Sequence, residues 1–115
     1  MDKFMKLRKN YEFKNVYSNG KSLADQYIVI YYIRNTFDYN RIGYSVSKKI
    51  GNSVVRNRVR RLIHESFRLL NIDVKTGFDI VFIARSKIIE ADFNAVQKSI
   101  KKLILKTPIG KVDEK

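Results

Sequence analysis

The side chains best equipped for chemistry gather between Ser45 and Arg61, in the run Ser45-Val46-Ser47-Lys48-Lys49-Ile50-Gly51-Asn52-Ser53-Val54-Val55-Arg56-Asn57-Arg58-Val59-Arg60-Arg61. Six basic residues (Lys48, Lys49, Arg56, Arg58, Arg60 and Arg61) stand there without one acidic neighbour. The chemistry they offer is binding: arginine forks match phosphate oxygens through paired hydrogen bonds, and lysines add long-range charge. Asn57, set among arginines, can both donate and accept, which suits a base edge or a 2′-hydroxyl. Four phosphate contacts to a single strand from such a set give a salt slope of roughly −3. Phenylalanine and tyrosine beside the patch would add stacking of about 1–3 kcal/mol per base, which favours single-stranded nucleic acid.

Little speaks for catalysis by protein groups. The single histidine, His64, falls on the exposed basic arc of its helix, where a polar surface role is its ordinary use. No metal-ligand cluster, Walker-type glycine loop or GxSxG is present, and Lys48-Lys49-Ile50-Gly51-Asn52 has only one glycine, unlike a Rossmann or KH loop. The net charge is +13, from 24 Lys plus Arg against 11 Asp plus Glu. Such a surplus repels itself in a compact chain, and its usual counterpart is a nucleic acid or an anionic membrane. The absence of cysteine excludes disulfides and thiolate metal sites and fits a reducing compartment. Met1-Asp2-Lys3-Phe4-Met5-Lys6 has no apolar run behind it, so no signal peptide is expected. The longest apolar run, Tyr27 to Ile33, is too short to span a bilayer. The expectation is a cytoplasmic protein with no membrane association, a single domain over 1–115, and a loose tail from about residue 108.

The elements that must position the basic run follow from periodicity. Leu7 to Gly20 reads as a first helix, with Asn10 as cap, Phe13, Val16 and Tyr17 on one side, and Gly20 as a left-handed stop. Tyr27 to Ile33 is a strand, with Tyr27, Val29, Tyr31 and Ile33 on one face and Ile28, Ile30 and Tyr32 on the other; Lys21 to Ala24 reads as a lead-in strand. After a turn over Asn35 to Asn40, Arg41 to Ser47 returns antiparallel. Its Ile42, Tyr44 and Val46 face a core, while Gly43, Ser45 and Ser47 leave the other face without a packing layer. The basic helix runs from Ser53 to Leu70 behind Asn52 or Ser53 as cap. Val55, Val59, Leu62, Ile63, Ser66, Phe67, Leu69 and Leu70 form its buried arc, opposite Asn57, Arg60, Arg61, His64 and Arg68. Phe78 to Arg85, apolar on both faces apart from Asp79, reads as a central strand. Asp92 caps a last helix to about Lys106, with lysines outside. The order is helix, strands, helix, strand, helix: an α+β (α/β) sandwich with a mainly antiparallel sheet, whose strand–helix–strand unit would by default cross over right-handed.

At Ser45-x-Ser47-Lys48-Lys49-x-Gly51-Asn52-x-Val54-x-Arg56-Asn57-Arg58-x-Arg60-Arg61 the chain resembles the protein component of bacterial ribonuclease P. The likeness extends to Phe13 and Val16-Tyr17 before Gly20, to Tyr31, and to the late Ile-Val-x-Ile-Ala-Arg strand. The resemblance implies a left-handed crossover, and two RNA partners: the catalytic ribonuclease P RNA and precursor tRNA, with no obligate protein partner. The RNA would carry out the Mg²⁺-dependent removal of the 5′ leader and hold most of the Mg²⁺; no protein residue is assigned a catalytic role, and none is assigned to a metal. It further implies that Lys48, Lys49, Asn52, Arg56, Asn57, Arg58, Arg60 and Arg61 lie against the catalytic RNA. A cleft bearing Phe13, Tyr17 and Tyr31, with Arg60 reaching in, would hold the single-stranded leader. His64 departs from the family, which often has Arg there, and removes a permanent charge. The competing reading is a ribosomal or ribosome-assembly RNA-binding protein without a role in cleavage. A protein-only nuclease lacks an acid cluster to hold metals.

Overall fold

The computed structural model describes residues 4–110. In chain order these form β1 (Phe4–Lys6), α1 (Asn10–Asn19), β2 (Lys21–Ala24), β3 (Ile28–Arg34), β4 (Asn40–Ser45), α2 (Ser53–Arg68), β5 (Phe78–Ala84), a 3₁₀ turn (Ser86–Glu90) and α3 (Phe93–Leu105). The five strands make one sheet in the order β1-β4-β5-β3-β2. The pairs β1–β4 and β4–β5 are parallel, and β5–β3 and β3–β2 antiparallel. The expected mainly antiparallel sheet is therefore mixed. β4 does run against β3, but β5, the most apolar strand, is inserted between them. Its two apolar faces are covered by α2 and α3 on one side and α1 on the other, which is the place of a central strand, and six of its seven residues are buried.

Alternation along the strands builds two cores. Ile28, Ile30, Ile42, Ile80 and Phe82 point to one face and meet Val59, Ile63 and Phe67 of α2 and Val96, Ile100 and Leu103 of α3. The opposite face carries a smaller cluster, in which Val16 of α1 packs with Leu7 and Val81 against Phe13, Tyr31, Ile33 and Ile83. Full burial of each such aliphatic or aromatic side chain contributes about 1.5–3 kcal/mol before entropy. α1 and α2 thus lie on opposite faces of the sheet.

The crossover hand follows from Ile42. Its carbonyl accepts from the Leu7 N–H on the β1 side, while its side chain enters the core beneath α2. With the strand running upward and an L-residue's side chain toward the viewer, that residue's N–H and C=O point to the right. β1 therefore lies to the right of β4 and β5 to the left, and the chain passes through α2 in front between them. The β4–α2–β5 unit is left-handed, against the usual rule and as the family resemblance implied.

Several local expectations are corrected. α1 starts later than Leu7, and its N-cap is Lys9, not Asn10; the Glu12 carboxylate accepts from the Arg8 and Lys9 N–H groups. Gly20 is extended (φ −87°, ψ 177°) and not left-handed. A Cβ there would meet the Tyr32 and Val16 carbonyl oxygens at 2.5 Å, so close approach is what requires glycine. Leu69 lies beyond the end of α2 and is half exposed. β1 and the 3₁₀ turn, too short for a periodic signal, were not expected. Residues 108–110 are not a loose tail, because Ile109 is fully buried and its carbonyl accepts from the Lys75 N–H. The expectation for 111–115 lies outside the described residues.

Candidate nucleic-acid interface

The basic run becomes a turn and a helix N-terminus. The Ile50 N–H donates to the Ser47 carbonyl at 3.0 Å, and buried Ile50 anchors the turn, leaving Lys48 and Lys49 exposed. At Gly51 an added Cβ would come within 2.9 Å of Val55, so glycine lets the turn close onto the helix. Asn52 caps α2, its side-chain oxygen accepting from the Val55 N–H at 3.0 Å. The first turn of α2 holds no acidic residue, and its positive dipole end adds to the cations there.

Along α2, Asn57, Arg58 and Arg61 are exposed, while Arg56 and Arg60 are half-buried. Arg60 donates to Asn57 at 2.6 Å, which occupies the amide oxygen of Asn57 and fixes the guanidinium on the helix surface. Arg56 Nε is buried without a hydrogen-bond partner among the described residues. Among the described residues, no carboxylate pairs with Lys48, Lys49, Arg56, Arg58, Arg60 or Arg61. By contrast, Arg68 is held by Glu65 at 2.6 Å, and that arginine keeps the Glu65 carboxyl below its ordinary range. His64 is not exposed as expected: its Nδ1 lies 2.7 Å from the Tyr44 hydroxyl, and its ring packs edge-on to Phe4 and Tyr44.

The aromatic residues meet on the other face. α1 crosses the row Gly43–Val81–Tyr31–Ser22, whose members are register partners. Phe13 sits over Gly43, where a Cβ would lie 2.6 Å from its ring. The β4 face expected to lack a packing layer is thus covered at this point, and Gly43 is small because a ring needs its place. Phe13 and Tyr17 have centroids 6.4 Å apart, and Tyr17 meets Tyr31 edge-on at 5.1 Å. Phe13 and Tyr31 are half-buried and Tyr17 is exposed. The next row, Ser45–Ile83–Val29–Ala24, lies one strand repeat of about 7 Å further along and is exposed or half-buried. It forms an apolar floor edged by rings. No described contact joins Arg60 to Phe13, Tyr17 or Tyr31, and α2 sits behind the sheet from them.

Two features escaped sequence reasoning. At the carboxyl ends of β4 and β5 a depression of about 530 Å³ is lined by Gln26, Ser47, Lys49, Ile50, Ala84, Arg85, Ser86 and Lys87. It brings Arg85 and Lys87 beside Lys49, a proximity set by strand pairing with no local signal. The other is a charge network under α1. Arg41 grips buried Asp79 through two bonds of 2.8 and 2.6 Å and reaches Glu12 at 2.6 Å; Asn35 adds a 2.9 Å bond to Asp79. The Lys9 and Arg8 N–H groups, with Arg41 beside them, hold the Glu12 carboxyl below its ordinary range, and Asp79 holds Arg41 more firmly protonated. The network ties the start of α1 to β4 and β5 and so fixes the ring row.

An unneutralised cationic helix start, set on an α+β sheet whose open face is edged by aromatic rings, gives the chain the features of a nucleic-acid-binding protein. The family model for ribonuclease P matches residues 1–108. The ribonuclease P protein component of Thermoanaerobacter sp. (strain X514) is 65% identical over 113 residues, 98% of this chain and 97% of that protein. That of Caldanaerobacter subterraneus subsp. tengcongensis is 59% identical over 114 residues, 99% and 98% of the two chains. The solved ribonuclease P protein of Staphylococcus aureus superposes with a TM-score of 0.83 at 32% identity, covering 92% of this chain and 97% of that one. The Thermotoga maritima protein gives 0.79 at 32% identity, covering 95% and 98%. The chain belongs to the ribonuclease P protein family, which serves the ribonuclease of tRNA 5′ maturation.

Proposed function

We propose that the chain binds the catalytic RNA of ribonuclease P through the Lys48–Arg61 surface and holds the 5′ leader of precursor tRNA on the open sheet face. The observation that carries this reading is the absence of carboxylate partners for those six cations among the described residues, beside a row of rings left partly open to solvent. Lys48, Lys49, Arg56, Arg58, Arg60 and Arg61 meet phosphates, and Asn57 orients Arg60. Asn52 shapes the helix start by capping it and is exposed on this surface. Phe13, Tyr17 and Tyr31 stack leader bases, with Lys49, Arg85 and Lys87 at the end of the floor for their phosphates. Arg60 stands on the face of the sheet opposite the rings, so its part is on the catalytic-RNA side.

The hydrolysis belongs to the RNA. In this reading Mg²⁺ enters as an ion of the RNA, and the protein supplies charge that lets RNA segments approach. Among the described residues no helix is long and apolar enough to cross a membrane, and RNA partners of this kind put the protein in the cytoplasm. The test is reconstitution. The purified protein alone should leave precursor tRNA intact, and adding it to the cognate catalytic RNA at low Mg²⁺ should restore cleavage. Cleavage by RNA-free protein overturns the division of labour. Failure to bind that RNA favours a ribosome-assembly role instead.

A further inference from the structure

The loop between β3 and β4 carries aromatic surface that the leader face does not use. Phe37 and Tyr39 stack there with ring centroids 4.9 Å apart and planes 17° from parallel. Phe37 remains 42% exposed. A flexible loop would hide such a ring, but this one is pinned: the Asn35 side chain accepts from the Phe37 N–H at 2.9 Å and donates to the Tyr39 carbonyl at 3.3 Å and to Asp79 at 2.9 Å. The Asn35 N–H also donates to the Gly77 carbonyl at 2.8 Å. Below the pair, the Arg41 guanidinium lies 5.0 Å from the Phe37 centroid, itself locked to Asp79 and Glu12. The Glu12 carboxylate that takes Arg41 also takes the N–H groups of Arg8 and Lys9, so two exposed cationic residues begin beside the stack.

We propose that Phe37 and Tyr39 form a second base-stacking site, separate from the Phe13–Tyr17–Tyr31 row and set beyond the Arg41–Glu12 pair at the start of α1, which takes an unpaired nucleotide of RNA. The rings meet the base, and Arg8 and Lys9 meet its flanking phosphates. A rigid aromatic pair beside cations suits a base with phosphates, since stacking tolerates any base and ordering has already been met by the fold. Flanking cations favour this ligand over an apolar protein segment. The inference rests on the RNA-binding function proposed above; the nucleotide comes from either the catalytic RNA or precursor tRNA.

The protein contains no tryptophan, so Phe37→Trp places a lone reporter in the stack. Its emission should be quenched on titration with catalytic RNA or with precursor tRNA, at the midpoint seen by filter retention, and the RNA that quenches identifies the source. Heparin, a polyanion without bases, should bind without quenching. Retention of both RNAs with unchanged emission, or equal quenching by heparin, overturns the site while leaving the proposed function standing. In parallel, Phe37→Leu and Tyr39→Leu should each weaken binding of the quenching RNA about fivefold or more. Lower stability toward urea with unchanged RNA affinity would assign the rings to shielding Arg41 and Asp79, and overturn the proposal. Failure of the unsubstituted protein to retain any RNA would remove the proposed function and this site together.

Discussion

Tyr17 and Phe13 differ in what they can report, although both belong to the row that edges the open sheet face. Phe13 fills the space over Gly43, so its truncation to alanine loses packing as well as a stacking surface, costing roughly 3 kcal/mol or more of stability. Tyr17 is exposed and meets Phe13 and Tyr31 by ring contacts. Tyr17→Ala should therefore fold normally and weaken binding of precursor tRNA by about 1–3 kcal/mol, with mature tRNA little affected; equal losses for both substrates would remove the rings from leader binding. Asp79 presents the opposite case. It is 1% exposed and held by Arg41, so Arg41→Ala leaves a buried carboxylate without its cation and should cost about 3–5 kcal/mol. Urea unfolding measures this, and a loss below about 1 kcal/mol would show that the network is not needed to hold the sheet.

At the scale of elements, α1 is seated by one contact of shape and one of charge. Gly43→Ala would push a methyl group into the Phe13 ring at 2.6 Å. We expect a cost of about 1–3 kcal/mol and reduced discrimination between precursor and mature tRNA, because the helix carrying Phe13 and Tyr17 must lift. Unchanged discrimination would mean the row tolerates that movement. The charge contact predicts a pH dependence. Glu12 has its carboxyl below the ordinary 4.5, chiefly through the Lys9 and Arg8 N–H groups. A depressed folded value adds stability above the unfolded value, lost as pH falls through the folded one. The stability difference between the native chain and Glu12→Gln should thus be full at pH 7 and shrink in acid below about 4.5. A difference that stays constant into acid would leave Glu12 without this linkage.

For the whole molecule the governing quantity is charge. A surplus of +13 opposes compactness, and counterion release on binding RNA is its thermodynamic use. Each phosphate contact should appear in the salt dependence of RNA affinity. Arg58→Ala, at an exposed position on α2, should weaken binding to catalytic RNA and reduce the salt slope by roughly one. An unaltered slope would argue against a phosphate contact at that position.

Much was legible in the sequence because it is written locally. The alternation of β3, the cap at Asn52 or Ser53 (Asn52 in the structure), the two-sided apolar character of β5 and the cation cluster of α2 each depend on neighbours within a few residues, and each is present in the fold. Arg56, Asn57, Arg58, Arg60 and Arg61 were singled out by spacing, and the side on which they sit follows from helical period alone. What spacing could not say was which strands pair, since backbone hydrogen bonds carry no residue identity. The insertion of β5 between β3 and β4 is decided by burial of the whole sheet. That choice sets the rest: it places Arg41 opposite Asp79 across 38 residues, sets Arg85 beside Lys49, and lays Phe13 on Gly43. Composition and local period determined that this chain would fold and carry a cationic helix; only long-range strand order decided which side chains share the surface beside it.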